Sequence, residues 1–306
     1  MIFTVTESFD GKALREFVRI GCALSRKTLC KVKSLENGIM LNGERVTVRA
    51  VVHTGDTVSL ALEDCKTDEN PYVAAKGEMP QIVYEDDAVL VVNKPADMPT
   101  HTSFGHYEDA LSNTVCAYYN SKGIPFVFRA INRLDRDTSG IVLIAKNKYY
   151  ASILAKALEN GEFEKRYIAL CEGEIDDFGT VEGYIAREGE SIIKRRFSCD
   201  LIEGGEHSVT EYKVICRSGN KSAVLVRPIT GRTHQIRVHL SALGAAIIGD
   251  TMYGKSSDLI KRQALHAYSL TFPSPVTNEK LTVFAPISND IEAVAEKYCL
   301  DLSKEP

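Results

Sequence analysis

Two stretches of this chain set ionisable side chains against apolar runs. The first is Asn132-Arg133-Leu134-Asp135-Arg136-Asp137-Thr138-Ser139-Gly140, which leads straight into Ile141-Val142-Leu143-Ile144-Ala145. The polar part reads as a turn and the β-branched part as a buried strand, so the acids and arginines would be held with defined geometry at a strand end. Asp, Thr, Ser and Gly also serve an ordinary tight turn, because they bind local amides or accept positive φ. The second stretch, Arg227-Pro228-Ile229-Thr230-Gly231-Arg232-Thr233-His234-Gln235-Ile236-Arg237-Val238-His239, follows another apolar strand. Arginines and histidines this close to an apolar scaffold need anionic partners, since an unpaired buried charge is too costly. A carboxylate kept ionised by a neighbouring guanidinium can act as a nucleophile or as a base.

The positioning elements follow from periodicity. In the main part of the chain, Ile82 to Lys94 reads as two strands around the acidic turn Glu85-Asp86-Asp87, and helices are expected over about 108–119 and 149–158. Phe163 to Leu170 reads as a strand on which Lys165, Tyr167 and Ala169 share a face. A C-terminal helix would turn Ile291, Val294, Ala295 and Tyr298 inward. Residues 1–62 look like a separate module, with two short amphipathic helices, a hairpin at Asn42-Gly43 and strand on either side of Gly55-Asp56. Residues 63–79 turn acidic and read as a linker, which leaves 80–306 as the main domain.

The 306 residues suffice for a well-buried core plus a smaller domain, and 44% apolar with 25% charged residues reads as soluble and globular. No apolar run approaches a membrane span, and the first residues lack a basic, signal-like start, so a cytoplasmic location is expected. The eight cysteines are scattered, with no pair at metal-site or redox spacing, and are read as reduced thiols. A net charge of −4 argues against indiscriminate coating of nucleic acid, but the charge is uneven. Residues 1–62 carry nine Lys or Arg against six Asp or Glu, and Arg26, Lys27, Lys31 and Lys33 form a basic helix that would face phosphate. There is no Walker loop, dinucleotide fingerprint or metal-ligand cluster, so neither a cofactor nor a metal is expected.

The string Arg133-Leu134-Asp135 with Thr138-Ser139-Gly140 two residues on resembles the catalytic motif of the RluA family of pseudouridine synthases. The stretch Arg227 to His239 resembles the same family's Arg-Pro-x-Thr-Gly-Arg-x-His-Gln-x-Arg-x-His block, and Ile247-Ile248-Gly249-Asp250 and Tyr253-Gly254 continue it. Asn93-Lys94-Pro95 leading to Pro99-Thr100-His101 is similar to its first motif, with Asp97 where glycine is usual; Lys165-Arg166-Tyr167-Ile168-Ala169 is similar to its Lys-x-Tyr-x-Ala strand. Asn132 stands where the family often has histidine. Residues 1–62 resemble the alpha-L RNA-binding module that precedes many such enzymes.

The resemblance implies an α+β protein of the pseudouridine synthase fold, with a mixed, mainly antiparallel central sheet flanked by helices and loops, and a small N-terminal α/β RNA-binding domain. It implies isomerisation of a uridine in RNA to pseudouridine without a cofactor. Asp135 would be the essential carboxylate, Arg237 would hold it, and Tyr167 would stack on the uracil. Ile236 and Val238 would wall the pocket, Arg232 and His234 would meet the substrate, and Arg133 or Arg136 would fill the space left by the flipped base or hold flanking phosphates. Ribosomal RNA is the first expected substrate and tRNA the second, for a monomer without an obligate protein partner. Two other readings compete: an RNA-binding protein that has lost catalysis, and a hydrolase using Asp135 and Asp137, although no motif marks a second distant acid.

Overall fold

The computed structural model describes residues 1–62, 75–189, 191 and 193–302. The first strands are β1 (Ile2–Thr4), β2 (Lys12–Ala13), β3 (Ile39–Leu41), β4 (Glu44–Arg45), β5 (Val51–Val52) and β6 (Thr57–Leu60). Among them lie helices α1 (Leu14–Glu16), which runs on as a π-helical turn over Phe17–Gly21, and α2 (Arg26–Ser34). Four of these strands form an antiparallel sheet in the order β1-β6-β3-β4. The β3–β4 hairpin turns at Asn42 and Gly43, both with positive φ, as a tight two-residue turn requires. Ser25 caps α2 by accepting the Thr28 amide. Leu14, Val18, Leu24, Val32, Val58 and Leu60 form a core that also takes in Tyr149 from the main part of the chain. Of the basic residues expected to face phosphate, Arg26, Lys31 and Lys33 are exposed, and the side chain of Lys27 lies outside the described residues. So do residues 63–74, the larger part of the expected linker.

The second sheet contains β7 (Gln81–Glu85), β8 (Val89–Lys94), β9 (Ser139–Ala145), β10 (Glu164–Glu172), β11 (Phe178–Arg187) and β12 (Arg195–Ser198). Further along the chain it takes in β13 (Glu206–Ser218), β14 (Lys221–Pro228), β15 (Ala246–Ile247), β16 (Leu265–Pro273) and β17 (Lys280–Phe284). Helices α3 (Leu111–Ser121), α4 (Lys148–Glu159), α5 (Gln235–Ala242) and α6 (Asn289–Lys297) lie in this part of the chain. The strand order is β12-β11-β13-β14-β10-β16-β9-β8-β7, with β15 beside β10 and β17 beside β16. Every pairing is antiparallel except that of β9 with β16. The architecture is therefore α+β around a mixed, mainly antiparallel sheet. No helix among the described residues is long and apolar enough to cross a membrane.

The sheet is covered on both faces where β9 crosses it. Val142 and Ile144 join Leu90, Val92 and the α3 residues Leu111 and Val115 in one core; Ile141 and Leu143 join Val91, Leu154 of α4 and Phe272 in another. All seven β9 residues are buried, which is why this strand reads as a continuous apolar run and not as an alternation. At its start Gly140 has φ +115°, and a Cβ there would collide with the backbone of Ala267 on β16. α3 starts at Leu111, three residues later than the periodicity suggests, because the Leu111 and Ser112 amides are taken by the Pro99 and Thr100 carbonyls. Two wholly buried histidines tie elements together. His239 of α5 lies between the hydroxyls of Ser208 (3.0 Å) and Thr210 (2.9 Å) on β13, and His266 of β16 meets the Ser139 hydroxyl at 2.9 Å.

Gly140→Ala should destabilise the protein by about 2 kcal/mol or more, since it adds both a strained φ and a backbone clash; denaturant melts measure it. A second expectation concerns pH. Burial pushes His239 and His266 down to about 4, whereas unfolded histidine titrates near 6.5. Below about pH 6.5 the unfolded chain binds protons that the folded one refuses, so the stability from these neutral rings is complete above that pH and lost as pH falls towards about 4. The loss should be on the order of 3 kcal/mol per histidine. Urea melts between pH 7 and 4.5 should show this decline, with His239→Gln showing a shallower one; equal slopes would refute the assignment.

Candidate active site

The turn that carries Asp135 is held from three sides. Lys94, wholly buried at the end of β8, donates from its ammonium to the carbonyls of Pro95 (2.8 Å), Met98 (2.7 Å) and Arg136 (3.0 Å). The buried Thr100 hydroxyl donates to the Leu134 carbonyl at 3.0 Å and accepts the Leu134 amide at 3.2 Å. Asn132 donates to the Ile141 carbonyl (2.9 Å) and accepts the Leu143 amide (2.8 Å), so its side chain fastens the turn to β9. From the third side, Arg262 donates to the Asp137 carbonyl and forms two bonds with Asp290 of α6, at 2.7 and 2.8 Å. Asp97, where the resemblance led one to expect glycine, has φ +58°, a left-handed conformation that aspartate tolerates better than most residues.

About a quarter of the Asp135 side chain remains exposed, with Arg237 Nη1 at 3.6 Å and His234 Nε2 at 3.8 Å from its carboxylate. The strong bonds of Arg237 go elsewhere. Its Nε and Nη2 donate to the two oxygens of Asp250 at 2.6 and 2.8 Å, and Asp250 is almost wholly buried. Asp250 also accepts the Met252 and Tyr253 amides, so the acid is itself held in place. The Tyr253 ring lies 5.1 Å from the guanidinium. Its hydroxyl accepts the Arg195 amide and meets His234 Nδ1 at 2.9 Å. When Tyr253 donates to Nδ1, the imidazole proton sits on Nε2, towards Asp135. Burial lowers the pKa of His234 against the opposing pull of Asp135, which favours the neutral ring.

These groups open onto a cavity of about 660 Å³ between the Asp135 turn, β10 and the start of α5. That volume lies within the range of small-ligand pockets, roughly 300–1,000 Å³. Tyr167, on β10, presents a buried ring to it. Burial and then the Asp135 charge raise its phenol well above the usual value, so Tyr167 is a neutral aromatic surface and a hydrogen-bond donor, not an anion. An ionised carboxylate, a cation beside it and an aromatic wall together suit a planar ring carrying a group that the carboxylate can attack or deprotonate.

Of the residues expected at a site, Asp135, Tyr167, Arg237, Arg133, Arg232, His234 and Ile236 all line this one cavity. Arg232 is tied to Glu206 (2.8 Å) and the His207 carbonyl, and Arg133 is exposed. Arg136 stands outside the cavity, exposed and paired with Asp137 at 3.1 Å. Asp137, the second acid of the hydrolase reading, takes that arginine. Val238 does not wall the cavity as expected: it is buried away from it, because two positions along an α-helix are roughly 200° apart, and Ile236 takes the cavity side. Sequence reasoning assigned no role to Asp250, Tyr253, Lys94, Thr100 or Lys165. For Asp250 a signal existed, as a lone acid in the apolar run Ala245 to Asp250, needed by an arginine on an equally apolar helix.

Comparison with known proteins agrees with this arrangement. A family model described as RNA pseudouridylate synthase matches residues 88–242. An uncharacterised RNA pseudouridine synthase of Bacillus subtilis, YjbO, is 36% identical over 269 residues, covering 88% of this chain and 93% of its own. The ribosomal large subunit pseudouridine synthase D of Vibrio parahaemolyticus is 33% identical over 310 residues, covering 96% and 93%. Among solved structures, human RNA pseudouridylate synthase domain containing 1 is 30% identical with a TM-score of 0.57, covering 69% of this chain and 85% of its own. With its family motifs converging on one cavity and its relatives matching nearly end to end, the chain belongs to the RluA family of RNA pseudouridine synthases.

Proposed function

We propose that this isomerase modifies uridines in ribosomal RNA, in the large subunit, with Asp135 as the residue on which the chemistry turns. The observation that carries the reading is the convergence of Asp135, Arg237, His234 and Tyr167 on a single cavity of ligand size. The ribosomal assignment is supported by relatives named ribosomal large subunit pseudouridine synthase D, at 32–33% identity over most of this chain. The exposed Arg26, Lys31 and Lys33 on α2 supply a positive face for RNA phosphates in residues 1–62, proposed as an RNA-binding domain ahead of a catalytic domain over 80–306.

The target base is stacked in RNA, so it enters the cavity only after being flipped out of its strand. Arg133, exposed at the cavity edge, is placed to occupy the vacated space or hold a flanking phosphate. The uracil lies on Tyr167, and Asp135 faces the ribose. From there Asp135 bonds C1′ of the ribose, bonds the base itself, or removes and returns a proton at C2′; each route weakens the C1′–N1 bond and needs an aimed carboxylate. Arg237 gives it a positive neighbour at 3.6 Å, and the apolar wall at Ile236 limits entry of water that would hydrolyse the intermediate. The base turns, C5 bonds to C1′ as the bond to Asp135 breaks or the C2′ proton returns, the C5 proton is lost and N1 gains one.

Incubation with unmodified ribosomal RNA and mapping of pseudouridine tests this. Wild type should yield product and Asp135→Asn should fall by about 10³-fold or more, the scale of losing an essential catalytic group. Free uracil would indicate a hydrolase, tight binding without product a binding protein, and modification of tRNA alone a different substrate. Asp250→Asn removes the charge that compensates the buried Arg237 and should cost about 3–5 kcal/mol of stability. At a temperature where that variant is still folded, its turnover should drop by about 10²-fold through misplacement of the guanidinium.

A further inference from the structure

The cations around the cavity are mostly committed. Arg237 is held by Asp250 and Arg232 by Glu206, while Arg133 is exposed to solvent. Lys165 differs: it lines the cavity, is half-buried, and its ammonium makes no hydrogen bond or ion pair among the described residues. Its Nζ lies 3.7 Å from where a Cβ of Gly231 would stand, so the facing turn puts no side chain over the ammonium. It sits two residues before Tyr167 on β10, on the same face of the strand. The Asp135 charge acts on Tyr167, whereas burial alone, which lowers its pKa, acts on Lys165. Tyr167 pairs with Ala267 of β16, which in turn pairs with Gly140 at the end of the Asp135 turn, whereas Lys165 pairs with Leu270 further along, so the order along the cavity is carboxylate, aromatic ring, ammonium.

On the reading given under Proposed function, that order places the ribose at Asp135 and the uracil over Tyr167, with the far edge of the base near Lys165. We propose that Lys165 is a further catalytic residue, whose ammonium donates a hydrogen bond to a carbonyl oxygen of the uracil and stabilises the anion formed as the base leaves the ribose. When the C1′–N1 bond breaks, its electron pair stays with the uracil and spreads over N1, O2 and O4. Lys165 donates a hydrogen bond and transfers no proton. The C5–C1′ bond then forms as the bond to Asp135 breaks or the C2′ proton returns, the C5 proton is lost to a base, and N1 gains a proton from solvent, so the product is an isomer of the substrate. A bond from an ammonium to an anionic oxygen is much stronger than one to a neutral carbonyl, so it favours the transition state over the bound ground state. The base also turns during the reaction. A compact ammonium on a flexible stem, with three donors that rotate, can follow its carbonyls through the turn better than a planar guanidinium.

The test uses Lys165→Met and Lys165→Arg on the RNA that wild type modifies, with melting curves to confirm folding. Lys165→Met should lower kcat by about 10²-fold or more while KM and RNA affinity stay within about twofold; Lys165→Arg should recover part of the loss. In single-turnover cleavage of RNA carrying 5-fluorouridine, whose base is the better leaving group, the gap between wild type and Lys165→Met should narrow. Weaker RNA binding with unchanged kcat and a shallower salt dependence would make Lys165 a phosphate contact and overturn the proposal. Wild-type turnover in Lys165→Met, or an equal loss on both substrates, would overturn it as well. If Lys165→Met does not fold, the kcat of Lys165→Arg on the two substrates decides by the same comparison. An inactive wild type would instead defeat the functional reading on which the proposal rests.

Discussion

The buried pair of Arg237 and Asp250 is the interaction on which the site depends. An arginine this far from water survives only with an anion against it, and Asp250 meets it with two parallel bonds while two backbone amides hold the acid. The guanidinium is thereby fixed as a planar object, with one edge given to Asp250 and Nη1 left towards Asp135 at 3.6 Å. The distance matters. Were Asp135 the strong partner, its lone pairs would be occupied by the bond that orients it. With Asp250 taking the short bonds, Asp135 has a positive neighbour and retains open surface.

A second constraint acts on the backbone. The turn carrying Asp135 is irregular, and irregular chain needs partners for its carbonyls and amides. Lys94, Thr100 and Asn132 supply them, and Arg262 adds a tie to α6. The Asn-Lys-Pro to Pro-Thr-His stretch thus works as a splint, because Lys94 and Thr100 spend their polar atoms on main-chain atoms of the neighbouring turn. These ties reach across sequence separations of nine to over a hundred residues, so the position of one carboxylate is set by β8, β9 and the C-terminal helix together.

The same burial sorts charge. His234, His239 and His266 are driven towards the neutral ring, and Tyr167 is kept as a phenol. Among the charged side chains that line the cavity, Asp135 has Arg237 beside it and Lys165 lies along β10, with Arg133, Arg232 and Glu159 completing the set. Low polarity around them strengthens whatever charge develops in a bound ring.

Much of this was legible in the residue order. The continuous apolar run of β9 declares a strand buried on both faces, the Asn42-Gly43 pair declares a hairpin, and the motif strings identify the family, because these depend on local pattern. Which acid holds Arg237 was not legible, since Asp135 and Asp250 lie on separate elements and only packing decides which of them the fork reaches. Val238 was misplaced for a related reason: the string shows that Ile236 and Val238 are apolar, but the direction each faces is set by how α5 is rotated against the sheet. The role of Lys94 was also hidden, because a lysine in a strand end looks solvated until the fold closes over it. Local chemistry determined what the chain contains and broadly what it does. Long-range contacts alone determined which polar groups are left unpaired to act on a substrate.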